Sequence, residues 1–200
     1  RSRISPHFTF NVLGREINQF NGSEEVKNNL MGLVKYLRRS LELTEKLSVP
    51  LQDELDFVRS YIDLEKGRVG DGFTPTVTIE DGLDATRIMV PSMIVQIPVE
   101  NAIKHGLAGK DGAKELAVCV SRQENGVCIT VADNGRGYLP QVSSATCGTG
   151  TGLKVLYQTI QLLNAKNKSD KIRFDITNRN DGKTGTQVSV YIPFRFSYDL

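Results

Sequence analysis

Cysteine is scarce. Cys119, Cys128 and Cys147 are the only three in 200 residues, and no two stand at a C-x-x-C spacing. An odd, scattered set supports neither a zinc site nor a disulfide framework, and it fits a reducing, cytoplasmic setting. Long apolar runs are missing as well: no stretch approaches the ~20 residues that span a bilayer, and no signal-peptide pattern opens the chain. Charge of one sign is not in excess, since 25 Lys and Arg against 23 Asp and Glu leave a net charge of +2. That balance points away from nucleic acid and from an anionic membrane as the main partner. Histidine occurs only twice, at His7 and His105. There is no internal repeat and no low-complexity segment. What remains is an ordinary globular composition, 39% hydrophobic and 24% charged, in a chain long enough to bury a core. It starts at Arg1 rather than at a methionine and reads as a piece of something longer, with room upstream for a membrane or sensor region.

The first third reads as helix. Ser5-Pro6 is an N-cap followed by proline at the first helical position, or a kink if helix already precedes it. That helix runs towards Phe20 and breaks at Asn21-Gly22. Ser23 with Glu24 and Glu25 restarts it, and Val26, Leu30, Leu33, Val34, Leu37 and Leu41 then recur at helical spacing, as core or as a seam between two copies. A third helix spans Leu51 to Lys66, with Leu55, Val58 and Ile62 as its stripe, before a breaker-rich linker at Gly67, Gly70 and Gly72. Beyond the linker the period changes. Thr76 to Glu80 is strand-like, and Ile88 to Gly106 reads as one helix bent at Pro98. The sets Leu116/Val118/Val120, Val127/Ile129/Val131, Ile172/Phe174/Ile176 and Val188/Val190/Ile192 alternate as half-buried antiparallel strands. Leu153 to Leu163 adds a helix. The sum is an α+β fold: a helical segment over residues 1–68, then a sandwich over 74–200 with three helices on one face of a mixed, largely antiparallel sheet.

Three stretches carry chemistry. In VENAIKHGL, residues 99–107, Asn101, Lys104 and His105 stand at i, i+3 and i+4 and share one helical face, while Val95, Val99, Ala102 and Ile103 face the sheet. An amide oxygen can ligate Mg²⁺, an ammonium can meet phosphate, and Glu100 at the border can accept a proton or orient a water. Alone, this run equally describes a solvated face. In ADNGRGY, residues 132–138, Asp133 ends a strand where its carboxylate can accept from an exocyclic amine, and Gly135 and Gly137 let backbone approach a flat ligand. Alone, it is a turn. In CGTGTGL, residues 147–153, alternate glycines expose backbone N–H groups at a helix start, a combination suited to phosphate. The intervening 139–146, LPQVSSAT, is small, polar and aperiodic, as a lid over a ligand would be. A Walker A loop is excluded by the spacing, and a dinucleotide fingerprint by the context.

The order of these pieces, with a late Gly185-Thr186 before the last strand, resembles the GHKL ATP-binding fold over roughly Thr76 to Pro193. The resemblance implies ATP and Mg²⁺ as ligands. Asn101 would be the metal ligand and Asp133 the adenine reader. Gly148, Thr149, Gly150, Thr151, Gly152 and Leu153 would lie along the phosphates, and Lys104, His105, Gly135, Gly137 and Thr186 would complete the nucleotide wall. Upstream, Ile4-Ser5-Pro6-His7-Phe8-Thr9-Phe10-Asn11 resembles the I-x-P-H-F-x-F-N phosphoacceptor segment of LytS/YehU-type sensor histidine kinases, and LQDELDFVRSYIDLEKGR, residues 51–68, resembles the helix that precedes their ATPase part. That resemblance implies transfer of the ATP γ-phosphoryl group to His7 and on to an aspartate of a response regulator's receiver domain. It also implies a homodimer, and a cytoplasmic domain of an inner-membrane sensor whose membrane region lies outside this chain. A regulatory ATP-binding module without phosphotransfer, or a GHKL serine/threonine kinase, is the alternative. His7 is the acceptor because His105 belongs to the nucleotide wall, and a neutral imidazole is a competent nucleophile. Asn11, four residues on, shares its face. Where many histidine kinases place an acid next to the acceptor, this chain has Phe8, which leaves Glu100 as the candidate base. Thr9 replaces a more usual leucine.

Overall fold

Two helices fold back on each other at the start of the chain. The computed structural model describes residues 6–19, 21–137, 151–167 and 170–199, so Ser5, the 139–146 stretch and Gly148, Thr149 and Gly150 lie outside the described residues. Helix α1 covers Pro6–Gln19 and α2 covers Glu24–Thr44. Ser23 caps α2 as its sequence suggests: its Oγ accepts from the Val26 N–H at 3.3 Å, with Glu24 and Glu25 in the dipole-favoured first turn. Most of the α2 stripe is not core of this chain. Val34 is buried, but Val26, Leu30, Leu33, Leu37 and Leu41 are each more than a third exposed.

Strand β1, Ser48–Pro50, leads directly into α3, Leu51–Val69, whose first N–H donates to the Ile88 carbonyl at 2.7 Å. Leu55, Val58 and Ile62 are buried as their spacing requires, joined by Phe57 and Tyr61. The Phe57 ring stacks on Tyr36 of α2 at 4.8 Å between centroids, a contact that fastens the first helices to the rest. The helix runs through Gly67, and the break falls at Gly70, which takes a φ of 83°.

The main sheet is built from β2 (Phe73–Ile79), β4 (Lys114–Gln123), β5 (Gly126–Asp133), β6 (Arg173–Asn178) and β7 (Thr186–Pro193), in the order β2-β4-β5-β7-β6. Only β2 and β4 are parallel; the other neighbours are antiparallel. Register aligns the alternating residues into rows: Val120, Ile129, Val190 and Phe174 form one, and Val118, Val131, Val188 and Ile176 the next. These rows carry the core face. Leu156, Ile160 and Leu163 of α5, Thr151–Lys166, close the same buried cluster as α3, and that cluster runs from Leu43 to Phe196.

The parallel β2–β4 pair needs a crossover, and here the structure departs from the single bent helix expected over Ile88 to Gly106. Met89–Pro91 is strand β3, paired antiparallel with β1. A turn follows in which Met93 takes a φ of 67°. Helix α4 covers only Gln96–Asn101, and Ala102–Leu107 continues as a π-helical turn closed by the Ala108 N–H on the Ile103 carbonyl at 3.0 Å. Pro98 does not bend the helix. It stands third in α4, where the N–H it lacks would have met a carbonyl that precedes the helix. The irregularity is the π turn, which starts four residues later at Ala102.

Candidate functional site

Between the π turn and the ends of β5 and β7 lies a cavity of about 220 Å³, lined by Asn101, His105, Asp133, Gly137, Leu153 and Thr186 together with apolar residues of the sheet and α4. Six residues singled out from sequence are therefore brought together from α4, the π turn, β5 and the loop after it, α5 and β7. At its floor Asp133 is 3% exposed. Its Oδ1 accepts from the Gly135 N–H at 2.8 Å and from the Thr186 N–H at 3.5 Å; among the described residues Oδ2 is left for a ligand. Burial pushes the Asp133 carboxyl upward, opposed by these two N–H groups and by Arg179.

The close approach that seats Asp133 depends on two glycines. A Cβ on Gly106 would stand 2.7 Å from Asp133 Oδ1, and one on Gly135 would stand 2.3 Å from the Gly106 carbonyl oxygen. Gly135 was legible as a loop glycine; Gly106 was not, because at the end of an apparent helix it signals only termination. Arg179 was also missed. It is paired with Asp181, and its guanidinium donates to the Asp133 carbonyl oxygen at 3.4 Å. Its only sequence signal was a charged turn.

Asn101 reaches the cavity with its Nδ2 buried and, among the described residues, unpartnered. A buried amide nitrogen without an acceptor is costly unless a ligand supplies one. The site thus offers an amide, an exposed imidazole at the rim and a buried carboxylate around an apolar slot. Burial and the neighbouring Lys104 lower the His105 pKa, which favours the neutral imidazole.

Two expected site residues, the candidate base Glu100 and the wall residue Lys104, do not line the cavity. Glu100 and Lys104 face the other way, towards α2 and α3. Glu100 accepts from Tyr36 Oη and Gln96 Nε2, each at 3.1 Å, and from Lys104 Nζ at 2.8 Å. Lys104 in turn lies 6.0 Å from the Tyr61 ring centroid. The cause is the π turn: widening from i→i+4 to i→i+5 keeps Asn101 and His105 together but rotates Lys104 off their face. Burial raises the Glu100 carboxyl, but the hydrogen bonds from Lys104, Gln96 and Tyr36 outweigh it and leave the pKa lowered. A carboxylate so satisfied is a weak general base.

His7 lies in the first turn of α1. On the same helix Asn11 Oδ1 accepts from Arg38 Nη2 of α2 at 3.0 Å, which places a guanidinium beside the i+4 position from His7. Thr151 and Gly152 open α5, as a phosphate-facing helix start would require.

Comparison with known proteins now bears on this geometry. Residues 89–195 match the family model described as histidine kinase-, DNA gyrase B-, and HSP90-like ATPase, and residues 1–73 match the one described as histidine kinase. Sensor protein LytS of Bacillus subtilis is 29% identical over 98% of this chain, and sensor histidine kinase YpdA of Escherichia coli is 29% identical over 96%. The chain spans about a third of each, 33% of their length. The histidine kinase domain of the Erythrobacter litoralis EL346 blue-light activated histidine kinase superposes with a TM-score of 0.55 at 17% identity, covering 93% of this chain and 95% of that one. The chain belongs to the histidine kinase-, DNA gyrase B- and HSP90-like ATPase family, with a segment over residues 1–73 that matches the histidine kinase model.

Proposed function

We propose that this chain is the catalytic core of a two-component sensor histidine kinase, in which residues 74–200 bind ATP and residues 1–68 carry the phosphoacceptor. The observation that carries the reading is the Asp133 floor: a buried carboxylate, wedged against Gly106 and Gly135, facing a largely apolar cavity of about 220 Å³. Asp133 accepts from the adenine amine. Asn101, whose amide nitrogen is buried without a partner among the described residues, turns towards the phosphates. Its Oδ1 would hold Mg²⁺, which neutralises phosphate charge when bound. The start of α5, with Gly148, Thr149, Gly150, Thr151 and Gly152, receives the phosphate chain.

In the transfer, a neutral His7 ring nitrogen forms a bond to the γ-phosphorus. The bond from that phosphorus to its bridging oxygen breaks, and ADP leaves with the electron pair. Positioning and charge stabilisation carry such a step more than a base does, in keeping with the tied-up state of Glu100. Arg38, held on Asn11, is placed to meet the transferred group. Phosphohistidine then passes its phosphoryl group to a receiver aspartate. The exposed stripe Val26, Leu30, Leu33, Leu37 and Leu41 is the seam of a homodimer. No described helix is long and apolar enough to cross a membrane, and this part works as the cytoplasmic domain of a membrane-anchored sensor.

Incubation with γ-labelled ATP tests the reading. Acid-labile, alkali-stable label is expected on the whole sensor, lost in His7→Gln and in Asn101→Ala. Acid-stable label on serine or threonine would replace it with a GHKL protein kinase. Nucleotide binding without any label would reduce the chain to a regulatory module.

A further inference from the structure

Glu54 is a charged residue with 0% exposure, far from the nucleotide cavity and unused by the reaction above. It comes from the LQDELDFVRSYIDLEKGR stretch, whose other apolar positions are spent on packing. Its carboxylate does not pair with a cation. Instead Oε1 accepts from the Met93 N–H at 2.5 Å, and Oε2 accepts from the Val95 and Gln96 N–H groups at 3.2 and 3.4 Å. Those are the orphan donors at the entry to α4. No side chain of the turn itself caps that helix, so the cap is supplied from α3, about forty residues earlier in the chain. It also fixes Met93 in the left-handed region at φ 67°, a conformation that a non-glycine residue holds only when its surroundings impose it. The opposite end of this same short helix is Asn101.

We infer that Glu54 is a positioning residue for the nucleotide site: by capping α4 from α3 it sets the axial position of Asn101, and so ties metal–phosphate binding to the helix that joins the phosphoacceptor segment to the ATPase domain. The inference rests on the reading of the cavity as an ATP·Mg²⁺ site. It separates two ends of that site. Asp133 is held by hydrogen bonds from Gly135, Thr186 and Arg179, none of them on the 96–107 segment, and meets that segment at Gly106, in the π turn beyond α4, whereas Asn101 stands one and a half turns from the cap within α4 itself. Glu54 therefore acts on the phosphate end and leaves the adenine end alone. The ionisable groups around it are few. Asp53 on its own helix raises its pKa slightly and is itself paired with Arg39 of α2 at 3.3 Å; β3 and the start of α4 present only backbone N–H groups.

The test measures binding of ADP to the 200-residue chain, with and without Mg²⁺, in the wild type, Glu54→Gln and Asp133→Asn. Glutamine keeps the shape but turns an acceptor oxygen into a donor facing N–H groups. The expected result is that Glu54→Gln binds metal-free ADP within twofold of wild type while the gain in affinity on adding Mg²⁺ shrinks at least fivefold. An unchanged Mg²⁺ gain overturns the inference. So does an equal loss with and without the metal, which marks general destabilisation. If Asp133→Asn leaves metal-free ADP binding intact, the cavity reading has failed and the inference falls with it. Should Glu54→Gln not fold, NMR titration of the wild-type chain decides. The Met93, Val95 and Gln96 amides and the Asn101 side-chain amide are expected to shift with one midpoint, and an Asn101 signal that ignores that midpoint refutes the coupling.

Discussion

Gly106→Ala isolates the feature on which the nucleotide site turns. A Cβ there would stand 2.7 Å from Asp133 Oδ1 and 2.8 Å from its Cγ, against the roughly 3.5 Å of an unstrained contact. The carboxylate cannot swing aside, because Oδ1 is held by the Gly135 N–H at 2.8 Å and Gly135 itself is pressed on the Gly106 carbonyl. Either the π turn lifts or Asp133 gives up its bonds. Overpacking a tight interior costs about 1–3 kcal/mol, and losing a hydrogen bond to a charged group costs about 1.5–3 kcal/mol. Since strain and lost bond are alternatives rather than a sum, about 2–3 kcal/mol is expected. Taken from binding, that is roughly 30- to 150-fold in affinity for ADP, measured by calorimetric titration well below the melting temperature. Gly67→Ala is the control. It sits inside α3 with nothing within 4 Å of the new methyl, so it should stabilise by about 0.5–1 kcal/mol through helix propensity and leave ADP affinity alone. A Gly106→Ala protein that binds ADP within threefold of wild type would show that Asp133 is not wedged as described.

Three further outcomes follow from separate parts of the structure. Glu54 has its carboxyl raised from 4.5 to about 7 by burial, which the Met93, Val95 and Gln96 N–H groups only partly oppose. A raised carboxyl pKa favours the folded state fully below the unfolded value and loses that contribution as pH climbs through 7. The span is worth about 3 kcal/mol, so the stability difference between wild type and Glu54→Gln should drift by up to that amount between pH 4 and 8 in urea unfolding, and a constant difference refutes it. Tyr36→Phe keeps the stack on Phe57 but strips Glu100 and Gln96 of the shared hydroxyl; about 1–2 kcal/mol of stability should go, and a loss below 0.3 kcal/mol, on the order of measurement error, counts against the network. Leu33→Asp with Leu37→Asp changes two exposed positions of α2 and should cost the fold under about 0.5 kcal/mol each, yet abolish self-association by sedimentation; an unchanged sedimentation profile of an associating wild type removes the seam.

Legibility in the sequence followed the range of the forces involved. Ser23 capping α2, the alternating Val127, Ile129 and Val131, and the break at Asn21-Gly22 are local, and each is where a local rule puts it. The cavity residues Asn101, His105, Asp133, Gly137, Leu153 and Thr186 were likewise found from motif order. The stretch around Met89 was misread because IMVPSMIV is apolar in every register, so neither a period of 2 nor one of 3.6 can be seen in it. What ends strand β3 there and starts α4 is Glu54, a partner some forty residues away in sequence. Lys104 was misplaced by assuming α geometry through a π turn, and Gly106 was overlooked because its requirement comes from Asp133 on another element. Val26, Leu30, Leu33, Leu37 and Leu41 were left between core and seam by periodicity, and exposure removes the first option.

The two-sidedness of the 96–107 segment makes sense of the residues that turned away. One face, Asn101 and His105, looks into the cavity. The other, Gln96, Glu100 and Lys104, is bonded into Tyr36 of α2 and lies against Tyr61 of α3. The helix cannot shift along its axis without breaking the Glu54 cap, nor rotate without pulling Glu100 from Tyr36. Both restraints come from α2 and α3, while the hydrogen bonds that hold Asp133 come from Gly135, Thr186 and Arg179. A displacement of the helical segment would therefore reach the phosphate end of the nucleotide before the adenine end. A segment that held all four polar residues in one wall could bind phosphate more strongly, but nothing would then connect that wall to α2 and α3.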